Sequence, residues 1–489
     1  MTRLHQNRKL CYNIPMRYYS TRNKNTFVNF ATAALTGLAP DGGLFVPEVN
    51  PQYPSAVLSS LGTMDYRDIA LETIKPYVQG EMPDSVLEDI TVSAYPFGAP
   101  LVGVGDRLVL ELFHGPTAAF KDFGARFMAR AFAYLRRGED KPLHILVATS
   151  GDTGGAVADG FFEVPGISVT VLYPKGRITP LQERQIAGLG GNISALAVEG
   201  SFDDCQHLVK AALADEALKK RLCLSSANSI NISRLIPQAA YYTAAAGRAS
   251  SGKTDPDGNA TPRVELGTRD WGLGNDVRKY NESSTRLDTK QRSLVPSPQS
   301  PLPIILCVPS GNFGNLTAGL YALKMGAPIR QFIAATNVNK TVPDYLDSGE
   351  YQARISQATI SNAMDVGAPS NFERMAAHFS WEEMRRIILG ISVSDDETRE
   401  TIAQVHTEAG YFLDPHSAVG WKGVDKLLAE NKVTGSVGIL STAHPAKFSE
   451  TVDPLTGPAP VPESLARAMG RTVHSQTIPA DVSALLEML

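Results

Sequence analysis

Seven short, mainly apolar runs constrain this chain more than any other feature. They are Leu108–Phe113, Leu143–Ala148, Ile167–Tyr173, Ile193–Val198, Leu302–Val308, Ile329–Ala335 and Val437–Ser441. Each is as long as a buried strand, and helical patterns lie between them. In Asp122–Arg137, for example, Phe127, Met128, Ala131, Phe132 and Leu135 share one face. That helix opens on an acid and closes on Arg136, Arg137 and Gly138, which suits its dipole and its C-cap. Strand–helix alternation at this spacing predicts an α/β fold with parallel sheet covered on both faces. In such folds ligands sit at the carboxyl ends of strands, beside helix N-termini.

Length and composition bound the rest. With 489 residues there is enough chain for two or three packed units, and 43% apolar against 20% charged residues excludes global disorder. The net charge of −4 gives no electrostatic footprint for nucleic acid or an anionic membrane. No run approaches the ~18 apolar residues of a membrane span. The four cysteines are scattered, and only Cys205 has a histidine nearby, His207, so neither a metal site nor a disulfide framework is expected. Residues 1–15 lack the apolar core of a secretory signal. They read as a disordered leader before a natural start at Met16, with an organelle-targeting peptide as the alternative. Residues 248–301 are polar, aperiodic and rich in Gly, Pro and Ser, and read as a disordered surface insertion. Residues 451–489 read as a tail with a Pro/Gly hinge, Pro454 to Pro462, before one short helix.

Gly247 to Thr254 matches the phosphate-loop pattern GxxxxGK[ST], but its context is wrong. A helix-like stretch, Ile236–Ala246, precedes it, and TDPDGNATP follows, which cannot start a helix. Two other glycine loops have the right context. TSGDTGG (149–155) and PSGNFGN (309–315) each follow a strand run and precede a helical pattern. Both read as anion cradles built of free N–H groups at a helix N-terminus, suggesting two anions; tight turns that use glycine are the alternative. Lys121 sits between Phe120 and Phe123 where a helix begins, so its charged form is disfavoured. A neutral amine is what a Schiff base requires, while a surface charge is the ordinary reading of a lysine. NSINISR (228–234) offers Asn, Ser and Arg as anion ligands, or Ser229 or Asn231 as a helix cap. STAHP (441–445) puts a hydroxyl at a strand end, to meet a ring nitrogen or to cap a turn. DPHSAVG (414–420) reads as a lid or wall, or as a turn.

Together these segments resemble the threonine synthase family, pyridoxal-phosphate enzymes of the tryptophan-synthase-β-like fold. The matches run in family order: Tyr18 to Thr21, GLAPDGGLFV (37–46), ELFHGPTAAFKDFG (111–124), TSGDTGG, NSINISR, PSGNFGN, AMDVGAPSNFER (363–374), LDPHSAVG (413–420) and STAHPAKF (441–448). The resemblance implies a fold-type II architecture: a small N-terminal domain (16–100), then a catalytic α/β region (101–450) of two open parallel-sheet subdomains. It implies that Lys121 carries the cofactor, pyridoxal 5′-phosphate. It implies that Gly311, Asn312, Phe313, Gly314 and Asn315 hold the cofactor phosphate, and that Thr442 faces the ring nitrogen. Ser150, Asp152, Thr153, Asn228 and Arg234 would face the substrate. The implied reaction turns O-phosphohomoserine and water into L-threonine and phosphate by γ-elimination and β-addition. The alternative is a phospho-lyase relative that releases phosphate and a 2-keto acid; LDPHSAVG favours the synthase. A cytoplasmic monomer or homodimer is expected, with no nucleic-acid or membrane partner and no metal. The insertion and the first 15 residues lie outside the match.

Overall fold

The computed structural model describes residues 15–252 and 303–489. Residues 1–14 of the expected leader, and residues 253–301 of the expected insertion, lie outside the described residues. Strands in chain order are β1 (Tyr18–Ser20), β2 (Asn23–Val28), β3 (Phe45–Pro47), β4 (Leu101–Val104), β5 (Arg107–Glu111), β6 (Leu143–Ala148), β7 (Ile167–Pro174), β8 (Ile193–Glu199), β9 (Leu224–Ser226), β10 (Ile304–Pro309), β11 (Ile329–Thr336), β12 (Ile388–Ser392), β13 (Val437–Ser441) and β14 (Gln476–Pro479).

They form three sheets. A small antiparallel one has the order β2-β1-β3, a larger one β12-β11-β10-β13-β5-β4, and a third β14-β8-β7-β6-β9. The larger sheet is parallel except for its edge strand β4, and the third is parallel throughout. All seven apolar runs are strands of the two parallel sheets. The four strands of those sheets that the runs do not mark are short or lie at an edge: β4, β9, β12 and β14. They expose part of their length or span only three residues, so they leave no long apolar signal.

Covering helices bury the sheets. Lys121–Leu135 turns Phe123, Phe127, Met128, Ala131 and Phe132 inward. The helices of residues 30–94 join the same core, where Tyr66 packs edge-on and Tyr95 tilted against Phe123, at centroid distances of 5.4 and 6.0 Å. Two expected boundaries move. The helix Ala239–Ser250 runs through residue 248, which places the GxxxxG decoy on a helix end. The tail holds more than one short helix. Helices Ser449–Thr456, Glu463–Met469 and Val482–Met488 accompany β14, which pairs with β8. Pro454 lies inside the first of these, and only Ile478 of β14 is buried, so the sequence signal there is weak. Among the described residues no helix is long and apolar enough to cross a membrane.

Candidate active site

The carboxyl ends of β5, β13 and β10, neighbours in the larger sheet, carry the loops 112–121, 442–448 and 310–315. The first two are stitched together by backbone. Phe120 N–H donates to the Thr442 carbonyl at 2.9 Å, His444 N–H donates to the Ala118 carbonyl at 3.0 Å, and Ala119 bridges Ala443. The turn requires Ala118 at φ 53°, a left-handed conformation that a residue with a Cβ seldom adopts. Asp122 folds the loop onto its own helix by accepting from the Thr117 N–H at 2.9 Å and the Thr117 hydroxyl at 2.6 Å. A Cβ on Gly115 would lie 2.3 Å from that carboxylate, so only glycine fits there.

Lys121 is thus the first residue of the helix. Its amine stands 4.5 Å from the centroid of the Phe120 ring and 3.8 Å from Asp152 Oδ2. Burial pushes Lys121 down to about 8; Lys447 and Arg234 add to this, while Asp152 and Asp414 oppose it.

Loop 310–315 is an uncharged cradle. Ser310 N–H is spent on the Ala335 carbonyl, but the N–H groups of Gly311 to Asn315 donate to nothing among the described residues. They stand at the N-terminus of the helix Gly314–Lys324, where an anion is favoured. Phe313 takes φ 57° to aim them. Neighbours hold the loop from outside. Asn312 Nδ2 and Asn371 Nδ2 both donate to Ser229 Oγ, at 2.9 and 3.0 Å, and Ser370 N–H donates to Asn312 Oδ1. Asn315 Oδ1 accepts from both Tyr241 and Tyr242, while its buried Nδ2 has no hydrogen-bond partner among the described residues.

Loop 149–155, at the end of β6 in the other parallel sheet, differs. Thr149 Oγ1 takes the N–H groups of Gly151 and Gly154 itself, at 2.9 and 2.8 Å. Gly151 sits at φ 128° against Gln182, which leaves no room for a Cβ. Asp152 is buried. Its Oδ1 pairs with Lys447 Nζ at 2.8 Å and accepts from Gln182 Nε2 at 3.0 Å. Burial alone would raise this carboxyl, but Lys447 and then Lys121 hold it well below the usual carboxylate range. Ser150 and Thr153, half-buried, keep their hydroxyls without partners among the described residues.

The segment 414–420 forms a wall. Asp414 caps the helix Pro415–Ala429 and accepts from Ser417 Oγ and, at 2.7 Å, from His416 Nδ1. Ala363 N–H donates to His416 Nε2, which assigns the imidazole proton to Nδ1. Ser417 Oγ in turn accepts from Thr442 N–H at 3.3 Å, while the Thr442 hydroxyl bonds to nothing among the described residues.

Three family models match the chain: threonine synthase N terminus over residues 17–95, pyridoxal-phosphate dependent enzyme over 98–257, and threonine synthase, C-terminal, over 417–488. The threonine synthase of Escherichia coli (strain K12) is 39% identical over 477 residues, covering 97% of this chain and 99% of the relative. The chain belongs to the threonine synthase family. The threonine synthase of Saccharomyces cerevisiae is 33% identical, with 89% and 88% covered. Among solved structures, threonine synthase from Escherichia coli superposes with a TM-score of 0.80 at 38% identity over 97% of this chain and 99% of the other. A pyridoxal-phosphate-bound threonine synthase from Brucella melitensis gives 0.78 at 34%, over 97% and 98%. The chain is therefore a fold-type II, pyridoxal-phosphate-dependent lyase with threonine synthase function.

The threonine synthase cofactor suits the donor set. Free amides at a helix N-terminus would take its phosphate, the Lys121 amine its carbonyl carbon, and an unpaired hydroxyl at Thr442 its ring. The loops that carry them stand at adjacent strand ends, about 10 Å across two strand spacings. Other expected residues are placed differently. Asn228 spends its amide on β6, accepting from Ala148 N–H at 3.2 Å and donating to the Ala148 carbonyl at 2.7 Å. Asn231 is a helix cap, accepting from Ser233 N–H at 3.0 Å. Arg234 is buried; burial brings it down to about 10, its Nη1 donates to the Ala227 carbonyl, and its Nε has no partner among the described residues.

Sequence reasoning passed over Lys447, Gln182, Asn371 and Arg374, and it offered Ser229 as an anion ligand or a helix cap, whereas the Ser229 hydroxyl accepts from Asn312 and Asn371. The guanidinium of Arg374, fully buried, ties the carbonyls of Phe45 and Ile230 to Asn371. One signal was readable. Lys447, like Lys121, is a lysine beside a phenylalanine in an otherwise apolar stretch of a matched motif.

Proposed function

We propose that the chain converts O-phosphohomoserine and water to L-threonine and inorganic phosphate, with Lys121 as the amine that binds the cofactor and moves protons. The observation that carries this is a largely buried lysine at a helix start, its charged form disfavoured by burial, on a loop that leaves the same edge of the larger sheet as the uncharged amide cradle. Bound pyridoxal phosphate supplies an electron sink for charge developing next to the substrate amino group.

Lys121 Nζ does the proton work. Tethered beside the reacting carbons and neutral in part near pH 8, it can take a proton from one carbon and return it at the next. Gly311 to Asn315 hold the cofactor phosphate through N–H groups. Thr442 offers a hydroxyl rather than an acid to the ring nitrogen, leaving that nitrogen unprotonated and so favouring elimination over transamination. The hydroxyls of Ser150 and Thr153 suit the substrate's phosphate, and the buried Arg234, held on the Ala227 carbonyl, adds positive charge near Lys121. Asn228 acts through β6, by fixing the strand end from which loop 149–155 departs, and Asp152 acts on Lys121.

Borohydride reduction of the loaded protein followed by peptide mapping tests the assignment. The pyridoxyl label is expected on Lys121, and a label on Lys447 would overturn it. Product analysis with O-phosphohomoserine should give threonine; 2-oxobutyrate as the main product would move the chain to the phospho-lyase alternative.

A further inference from the structure

Lys447 is a buried ammonium that the reaction above does not use. Its side chain has no exposure to solvent, and among the described residues it has two partners: Asp152 Oδ1 at 2.8 Å and the Thr117 carbonyl, which accepts at 2.8 Å. The same carboxylate turns its other oxygen, Oδ2, toward Lys121, but at 3.8 Å, beyond hydrogen-bond reach. One carboxylate thus serves two lysines unequally, and the reactive one has the weaker hold. A lone buried Asp–Lys pair would instead close to contact and keep the lysine charged.

We propose that Lys447 is a positioning residue of this site: it holds Asp152 and thereby denies Lys121 a counter-ion of its own, leaving the Lys121 amine free to react. The charges around the site agree. The charges that act on Lys121 are those of Asp152, Lys447, Arg234 and Asp414, and those that act on Asp152 are chiefly Lys447 and Lys121. Asp414 is occupied by His416 and Ser417, and Asp122 by Thr117. With Lys121 neutral, Lys447 and Asp152 balance each other, so the neutral amine leaves no charge of this trio uncompensated. Burial is the main force lowering Lys121, and Lys447 acts in the same direction.

This inference rests on Lys121 being the reactive amine, and the test separates the two. The full chain, stripped of cofactor, is labelled at a series of pH values with trace acetic anhydride, and peptide mapping reports the titration midpoint of each lysine. In the wild type the Lys121 midpoint is expected at about 8. Lys447→Met frees Asp152 for Lys121, so the midpoint should rise by about one unit and labelling near neutral pH should slow about tenfold. Re-entry of pyridoxal phosphate, followed by its absorbance, should slow in parallel. Lys447→Met/Asp152→Asn removes both charges and should bring the midpoint back to the wild-type value or below.

A wild-type Lys121 midpoint near the ordinary 10.5 defeats the reading of Lys121 itself. A depressed wild-type midpoint that Lys447→Met leaves within about 0.3 unit defeats only the role of Lys447. If Lys447→Met fails to fold by circular dichroism, the double variant, which buries no unpaired charge, decides. A midpoint at or below wild type supports the proposal, and one above it overturns it.

Discussion

The loops 149–155 and 309–315 are built on one template, strand to glycine turn to helix, yet they are electrostatic opposites. The first ties up two of its own N–H groups on Thr149 and carries a carboxylate, Asp152, into the site. The second contains no charge, leaves the amides of Gly311 to Asn315 free among the described residues, and is propped by Ser229, Ser370 and Asn371 from elsewhere in the chain. A helix N-terminus favours any anion, so the dipole does not distinguish them. What distinguishes them is whether the anion is built in. The neutral loop is left to attract a phosphate, while the acidic one has its anion already and uses it to arrange two lysines.

The strongest way to break this division is at the lysine between the loops. Lys121→Ala should lower kcat/KM by roughly three orders of magnitude or more while pyridoxal phosphate still binds, since amine and cradle grip opposite ends of the cofactor. Equilibrium dialysis of the variant, beside steady-state kinetics, checks both halves; loss of cofactor binding would mean the cradle does not act alone.

Asp152→Asn strikes the acidic loop. It strands the buried Lys447 ammonium with one carbonyl, so denaturant unfolding should show a loss of about 3–5 kcal/mol. A change under about 1 kcal/mol would mean that the pair is not desolvated as the structure has it.

Ser229→Ala strikes the neutral loop. Two amide donors, from Asn312 and Asn371, lose their acceptor at a cost of about 1–3 kcal/mol. The expected result is about tenfold weaker cofactor retention with kcat little altered in saturating cofactor. A fall in kcat with retention unchanged would point to substrate instead.

The smallest effect is on stability against pH. Lys121, lowered from 10.5 to about 8, binds fewer protons folded than unfolded in that window. Its contribution therefore rises with pH from about 8 to about 10.5. Asp122 is raised from 3.8 to about 6 by burial, with Asp159 adding to it. Folded, it holds its proton longer, so its contribution falls as pH climbs from about 4 to about 6. Melting curves of the wild type and Asp122→Asn should converge below that range and separate above it, with the variant higher.

Much of this was legible in the chain. The apolar runs marked every strand that is both long and buried, because such strands have no polar face to interrupt them. They did not mark β4, β9, β12 and β14, which are edge or three-residue strands whose partners, not their own composition, make them strands. Lys121 was legible because its apolar neighbours and the helix start are local. The helix cap at Asn231 was legible as an alternative, because capping is a local competition between side chain and backbone, whereas the cap at Asp414 was legible only as a turn or a wall.

The sequence by itself determined the strand–helix alternation, the two glycine turns and the lysine at a helix start, since each depends on residues within a few positions of one another. Only the tertiary structure decided that the two turns would play opposite parts. The Asp152 carboxylate is paired by Lys447, nearly 300 residues along the chain, and Asn312 is braced by Ser229 and Ser370. Those partners arrive on separate turns and loops that are far apart in the chain. Burial, charge pairing and the cost of an unmet polar group are properties of the folded assembly, and no window of sequence contains them.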